Sequence, residues 1–273
     1  MANTLIEARR ELALANRIVA NEGVIDAFGH VSMRHPDNPG RYLLSRSRAP
    51  ELVTPEDFIE YDLDSQPVRD SGMPQYSERV IHGEIYKARP EVMSVCHHHS
   101  PAFMPLLATG TDYMPVFHLG AVGGIKPPFW DQHDEFGDTN MLVIKPAEGA
   151  SLARALGTHW MVLMRRHGVT VAGTSVRDCV FRSIYSARNA EYQVRSMTIG
   201  AVASLSPGET QLAGQITAKT TGLTRSWEYW SMRVAKSGGM SGGAPVSAKK
   251  AKPVRKPTRA AAKSGGRVKP KRR

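Results

Sequence analysis

Three consecutive histidines close an apolar run in the segment Val95-Cys96-His97-His98-His99-Ser100-Pro101. On a buried strand successive side chains alternate, so His97 and His99 share one face and His98 takes the other. Two imidazoles at i and i+2 form a pincer for a transition metal. A second apolar run, Trp160 to Met164, ends in Arg165-Arg166-His167-Gly168 and offers a third imidazole at a matching strand end. Taken singly, each of these is an ordinary polar residue at the end of a strand. Together they define a candidate transition-metal site.

The elements that must position these residues follow from local pattern. Leu5, Leu12, Ala15 and Val19 recur at helical spacing up to Gly23, a C-terminal cap. Strands are expected at 30–34 and 41–44, split by Pro36-Asp37-Asn38-Pro39-Gly40, and at 58–63 after the capped turn Thr54-Pro55-Glu56-Asp57. A helix from Ser77 to Arg89 puts Glu78 and His82 on one face at i and i+4 and stops at Pro90. Further on, a short strand is expected at Met141 to Ile144 and a helix at 147–156 ended by Gly157. Strands at 159–164 and 169–172 flank His167-Gly168, and a long helix opens at Ser175 with Asp178 and runs toward Gly200. These mixed signals predict a three-layer α/β/α domain. Its sheet is partly antiparallel, because Arg166-His167-Gly168 is too short for a crossover.

Charge divides the chain. The 273 residues carry a formal net charge of +11, but Lys236 to Arg273 hold 13 Lys or Arg and no acid, leaving 23 basic and 25 acidic residues in 1–235. The basic stretch has no aromatic residue and too little apolar surface to offset its ordering entropy, so residues 236–273 are expected to be a disordered basic tail beside one domain spanning 1–235. Its Lys/Arg spacing suits counterion release from a phosphate backbone, but a solvated extension or a contact with another anionic surface explains it equally; nucleic acid is the lesser alternative. Only Cys96 and Cys179 occur, and Glu7, Arg9, Arg10 and Glu11 stand where a signal peptide needs an apolar core. With no apolar run of about 18 residues, a cytoplasmic chain without membrane spans is expected. There is no repeat, heptad array or Gly-rich phosphate loop.

In order along the chain stand Gly29-His30-Val31-Ser32 with Arg34, Thr54-Pro55-Glu56-Asp57, Ser77-Glu78 with His82, Tyr86-Lys87-Ala88-Arg89-Pro90, the triple histidine and Arg166-His167-Gly168-Val169. This ordered set resembles the class II aldolase/adducin family over about Leu5 to Leu205. The resemblance implies a single α/β/α domain assembled as a homotetramer with active sites between subunits. It makes His97, His99 and His167 ligands of a divalent transition metal (Mn²⁺, Zn²⁺, Co²⁺ or Fe²⁺), and Glu78 an acid/base that also reaches the metal. Three neutral imidazoles leave coordination positions open for substrate oxygens. A carboxyl whose pKa is raised by its pocket can then move a proton.

Departures from the sugar-phosphate aldolases point to the substrate. Where those enzymes cradle phosphate with small residues, this chain has Phe28-Gly29-His30 and Ser45-Arg46-Ser47-Arg48. A bulky ring and an imidazole close the cradle, while guanidinium groups suit carboxylates. Ser45, Arg46 and Arg48 are therefore candidate substrate-binding residues for a small-molecule carboxylate, and His118 a further candidate for the pocket wall. The pattern is more similar to the family's decarboxylase branch, which implies non-oxidative, metal-dependent loss of CO₂ from a hydroxylated aromatic or ring-cleavage dicarboxylate in aromatic compound catabolism. Either His30 or Glu78 then protonates the vacated carbon. Two alternatives stand beside this one: an aldolase acting on an unphosphorylated hydroxy-oxo acid, and a non-enzymatic adducin-like interaction protein, against which the intact histidines argue.

Overall fold

Alternation along the strands of one sheet decides which residues face which layer. In the computed structural model, which describes residues 2–217 and 219–238, seven strands run β1 (His30–Arg34), β2 (Arg41–Ser45), β3 (Phe58–Asp62), β4 (Ser94–His98), β5 (Phe129–Trp130), β6 (Met161–Met164) and β7 (Gly168–Gly173). They lie in the order β3-β2-β1-β4-β7-β6-β5. The β5–β6 pair is parallel and every other pair antiparallel. The helices are α1 (Ala2–Asn21), α2 (Arg79–Ala88), α3 (Met104–Thr109), α4 (Gln132–Phe136), α5 (Pro146–Leu156), α6 (Val176–Met197), α7 (Pro207–Thr217) and α8 (Thr220–Lys236).

Two cores sit on opposite faces of the sheet. Leu43, Cys96 and Val171 pack with α1, α6 and α8 on one side, and their strand neighbours Leu44, Val95 and Ala172 pack with α2 and α5 on the other. This is the expected three-layer α/β/α arrangement with a mixed sheet. Asn16 of α1 is buried and bridges to β1, accepting from the Val31 amide at 3.1 Å and donating to the Leu12 carbonyl at 2.9 Å. Arg34 is buried at the end of β1, where its guanidinium donates to the carbonyls of Pro39, Tyr86, Val92 and Arg89 at 2.6–3.0 Å. That side chain ties β1 to the end of α2 and the strand that follows it.

One local expectation needs correction. Met141 to Ile144 is not a strand. Its backbone N–H groups are taken by side chains instead of a neighbouring strand: the Met141 and Leu142 amides donate to Thr139 Oγ1 and Asn140 Oδ1, the Val143 amide to Glu78 Oε1 at 3.0 Å and the Ile144 amide, with that of Lys145, to Glu148 Oε2 at 2.9 Å each. Met141 moreover has φ of 67°, outside the strand region. The continuous apolar run there belongs to a loop pinned to the site, not a sheet edge. Helix α8 runs to Lys236 and packs Trp230 against Phe181 and Tyr185 at ring distances of 6.1 and 5.9 Å. Most of the basic tail, from residue 239, lies outside the described residues. Among the described residues no helix is long and apolar enough to cross a membrane.

Candidate metal centre

The pairing of β1, β4 and β7 brings the candidate residues together. His97 lies opposite His30 on β1 and opposite Thr170 on β7. His99 follows one residue past the end of β4. His167 sits in the three-residue connection from β6 to β7, whose Arg166 takes the left-handed conformation at φ 56°. Two glycines let the chains approach this closely. A Cβ on Gly29, at φ 110°, would stand 2.8 Å from the His97 carbonyl, and one on Gly168 would stand 2.7 Å from the His99 ring. Glu78 enters from the opposite layer as the residue that precedes α2.

One donor atom from each of Glu78, His97, His99 and His167 lies within 4.8 Å of every other. His97 Nε2 is 3.1 Å from His99 Nε2 and 3.7 Å from Glu78 Oε2, and His167 Nε2 is 3.5 Å from Glu78 Oε1. Donors bound about 2.0–2.2 Å from one ion stand roughly 3–3.5 Å apart, so these separations fit a shared cation. Protonation states fit as well. Burial is the largest influence on every imidazole, holding His167 down to about 4, His97 well below the ordinary histidine range and His99 lower too; neighbouring imidazoles depress His97 and His167 further. The His–Glu approaches are therefore not ion pairs, and neutral imidazoles are the form that ligates metal. Thr170 Oγ1 faces His97 Nδ1 at 3.2 Å and Met164 Sδ at 3.3 Å. In the tautomer with its proton on Nδ1, His97 donates to Thr170 and turns its Nε2 lone pair to the other donors, the form a metal ligand takes.

Burial pushes the Glu78 carboxyl up to about 7 against the opposing pull of the Val143 amide. In the metal-free protein a group so placed exchanges a proton near neutral pH. Beside it opens a cavity of about 330 Å³ whose wall includes His30, Arg48, Tyr76, Glu78, His99 and Leu142.

The other sequence candidates separate. His30 is buried, lines this cavity and lies 5.4 Å from the His97 ring, ring to ring. Arg48 lines the cavity too, with one guanidinium nitrogen 2.8 Å from Asp57 Oδ2. Arg46 is turned to the same acid, its Nε 2.5 Å from Asp57 Oδ1, and is not part of the wall. Ser45 is fully buried at the end of β2 and does not reach the cavity. His118 is exposed at the start of a short helical turn, stacked edge-on to Phe117, and lines no part of this cavity.

Sequence reasoning passed over a buried chain behind His30. His30 Nδ1 is 2.6 Å from His82 Nε2, His82 Nδ1 is 2.6 Å from Ser32 Oγ, and Ser32 Oγ is 2.7 Å from the Tyr86 hydroxyl. The available signal was a polar stripe, Glu78, His82 and Tyr86 at i, i+4 and i+8, on a helix face that is buried.

Comparison with known proteins agrees with this geometry. Residues 10–194 match the Class II Aldolase and Adducin N-terminal domain. The chain is 33% identical to the decarboxylase tropJ of Talaromyces stipitatus over 82% of its own length and 92% of that protein. It is 29% identical to a 3,4-dihydroxyphthalate decarboxylase of Arthrobacter keyseri over 65% of its length and 73% of that protein. In fold it is similar to an aldolase II superfamily protein from Pseudomonas syringae, with a TM-score of 0.73, 20% identity and coverage of 86% and 94% of the two chains. With most of its length matched and a relative one-third identical almost end to end, the chain belongs to the class II aldolase and adducin family.

Proposed function

We propose that this protein is a divalent-metal-dependent, non-oxidative decarboxylase of a hydroxylated aromatic or ring-cleavage dicarboxylate. The observation that carries the reading is a cluster of three neutral imidazoles and a near-neutral carboxyl beside a cavity walled by an arginine, in a chain without a Gly-rich phosphate loop. The names borne by its decarboxylase relatives support the same class of reaction.

His97, His99 and His167 are the proposed ligands, with Glu78 within reach of the same ion. A bound divalent metal supplies Lewis acidity toward the electron pair left behind when the bond to the departing carboxylate breaks. Arg48 holds the retained carboxylate. One of its guanidinium nitrogens is engaged by Asp57, which orients the group, and the rest of the fork has no protein partner among the described residues. As CO₂ leaves, the electron pair stays on the ring carbon and takes the proton of the Glu78 carboxyl, which is replaced from solvent. Arg46 backs this arrangement through Asp57. Ser45 and His118 have no role in the proposed site.

The proposed assembly is a homotetramer with active sites between subunits, and the exposed Phe28 and Leu142 on the cavity wall are the apolar residues a neighbouring subunit would cover. A screen of metal-reconstituted protein over hydroxylated aromatic dicarboxylates tests the reaction. The expected result is one CO₂ per substrate consumed with no aldehyde; release of pyruvate or an aldehyde without CO₂ would replace the proposal by aldol cleavage.

A further inference from the structure

His30 and His97 face each other across one antiparallel pair, but only His30 has its tautomer set by a hydrogen-bond chain. As a ligand through Nε2, His97 would carry its proton on Nδ1, toward Thr170. For His30 the chain begins at Tyr86. Its buried hydroxyl has Ser32 Oγ as its only hydrogen-bond partner among the described residues, so the phenol donates to Ser32. Ser32 must then donate to His82 Nδ1, which leaves His82 with its proton on Nε2, directed at His30 Nδ1. The reverse direction would strand a buried Tyr86 O–H with no acceptor, a costly arrangement. His30 thus accepts at Nδ1 and carries its own proton on Nε2, the one nitrogen without a protein partner in a ring that lines the cavity.

We propose that His30 is a fixed hydrogen-bond donor to a substrate oxygen, held in its Nε2–H tautomer by the positioning chain His82, Ser32 and Tyr86, and that it neither ligates the metal nor supplies the proton to carbon. The inference rests on the decarboxylase reading for the identity of the oxygen, which is a carboxylate or ring hydroxyl oxygen of the dicarboxylate. The protonated Nε2 has no lone pair to offer a cation, and His30 stands outside the four-donor cluster although its ring lies 5.4 Å from that of His97. A fixed donor in the cavity wall strengthens its bond to an oxygen that gains charge as CO₂ departs. And the chain cannot refill His30, because a proton drawn along it would leave a buried phenolate at Tyr86, where burial already holds the phenol well above its ordinary range. Proton delivery to carbon therefore belongs to Glu78.

Long-range ¹H–¹⁵N spectra of histidine-labelled, zinc-loaded full-length protein read the tautomer directly. The expected result is a neutral His30 with its proton on Nε2, and a mixture of the two tautomers in Tyr86→Phe, which removes the terminal donor and little else. A proton on Nδ1 in the unaltered protein, or an unchanged Nε2–H signal in Tyr86→Phe, would overturn the proposal whatever the enzyme's activity. Kinetics give the second arm. His30→Gln, which keeps an N–H near the same place, should retain kcat/KM within about tenfold, while His30→Ala should lose roughly a hundredfold with its metal content intact. Equal losses in both variants would also overturn it. Failure of the decarboxylase reading has a different signature: no CO₂ from any substrate with the Nε2–H signal in place.

Discussion

Two groups of polar side chains border the same cavity, and they differ in what their atoms already have. Around Asp57 the hydrogen bonds are complete. Arg46 and Arg48 each donate to one carboxylate oxygen, and the Thr54 amide and hydroxyl donate to Oδ2 at 2.8 and 3.1 Å. Burial works to raise this acid, but the bonds from Arg46, Thr54 and Arg48 outweigh it and hold Asp57 below the ordinary carboxylate range. Around Glu78 the bonds are incomplete. A single amide reaches its carboxylate, burial leaves it near 7, and two imidazoles, His97 and His167, face it at 3.7 and 3.5 Å, too long for ordinary hydrogen bonds. The first group is a closed structural unit that aims one arginine. The second is a set of converging donors within 4.8 Å of one another, and that difference separates a strut from a candidate binding site.

Substitutions sharpen the contrast. Glu78→Gln should leave the three imidazoles and their metal in place while lowering kcat roughly 10²–10⁴-fold, the usual worth of a general acid; a variant with normal turnover would move the proton elsewhere. Asp57→Asn, in the closed group, should do the reverse. It should lower stability by about 1–3 kcal/mol, less than a fully buried pair because both arginines are about one-third exposed, and leave metal content unchanged. Thermal melts beside elemental analysis would show it, and loss of metal in this variant would merge the two groups into one.

Acid should act first on the buried imidazoles. In the metal-free protein His30 and His98 are held to about 3 and His167 to about 4 by burial, with His82 and His97 also well below 6.5 and His99 lowered too. The unfolded chain takes up protons on these residues near pH 6.5 and the folded chain does not, so stability falls as pH drops from about 6.5 toward 4. Glu78 opposes this, since its folded carboxyl binds a proton near 7 and the unfolded one only near 4.5, but it is one group against six. A melting temperature that rises over this range would mean the imidazoles are not held neutral. The smallest effect is expected from deleting residues 239–273, whose composition offers almost no apolar surface to bury: melting temperature and turnover should stay within error of the full chain. A large loss of either would give the tail a structural part.

Much of this was readable in the chain itself. Strand alternation put His97 and His99 on one side, and helical spacing put Glu78 and His82 on one face, because both periodicities are local. What local pattern could not supply was long-range pairing. Arg46 and Arg48 look like free guanidiniums until the Ser45–Phe58 register of β2 and β3 brings Asp57 beside them. His82 looks like a helix-surface residue until α2 lies over β1 and Ser32 meets it. The run from Met141 to Ile144 has strand composition, yet Glu78 and Glu148 take its amides first. Helix α8 was overlooked although Trp227, Trp230 and Val234 recur at i, i+3 and i+7, because the basic tail beside it dominates that part of the sequence.

The central claim is that the open group holds a divalent ion. Elemental analysis of the dialysed protein after reconstitution, alongside His97→Ala and His99→Ala, measures this most directly. The account requires about one transition-metal ion per chain in the unaltered protein and a clear loss in both variants, with CO₂ release falling in step. Undiminished occupancy in both variants would contradict it.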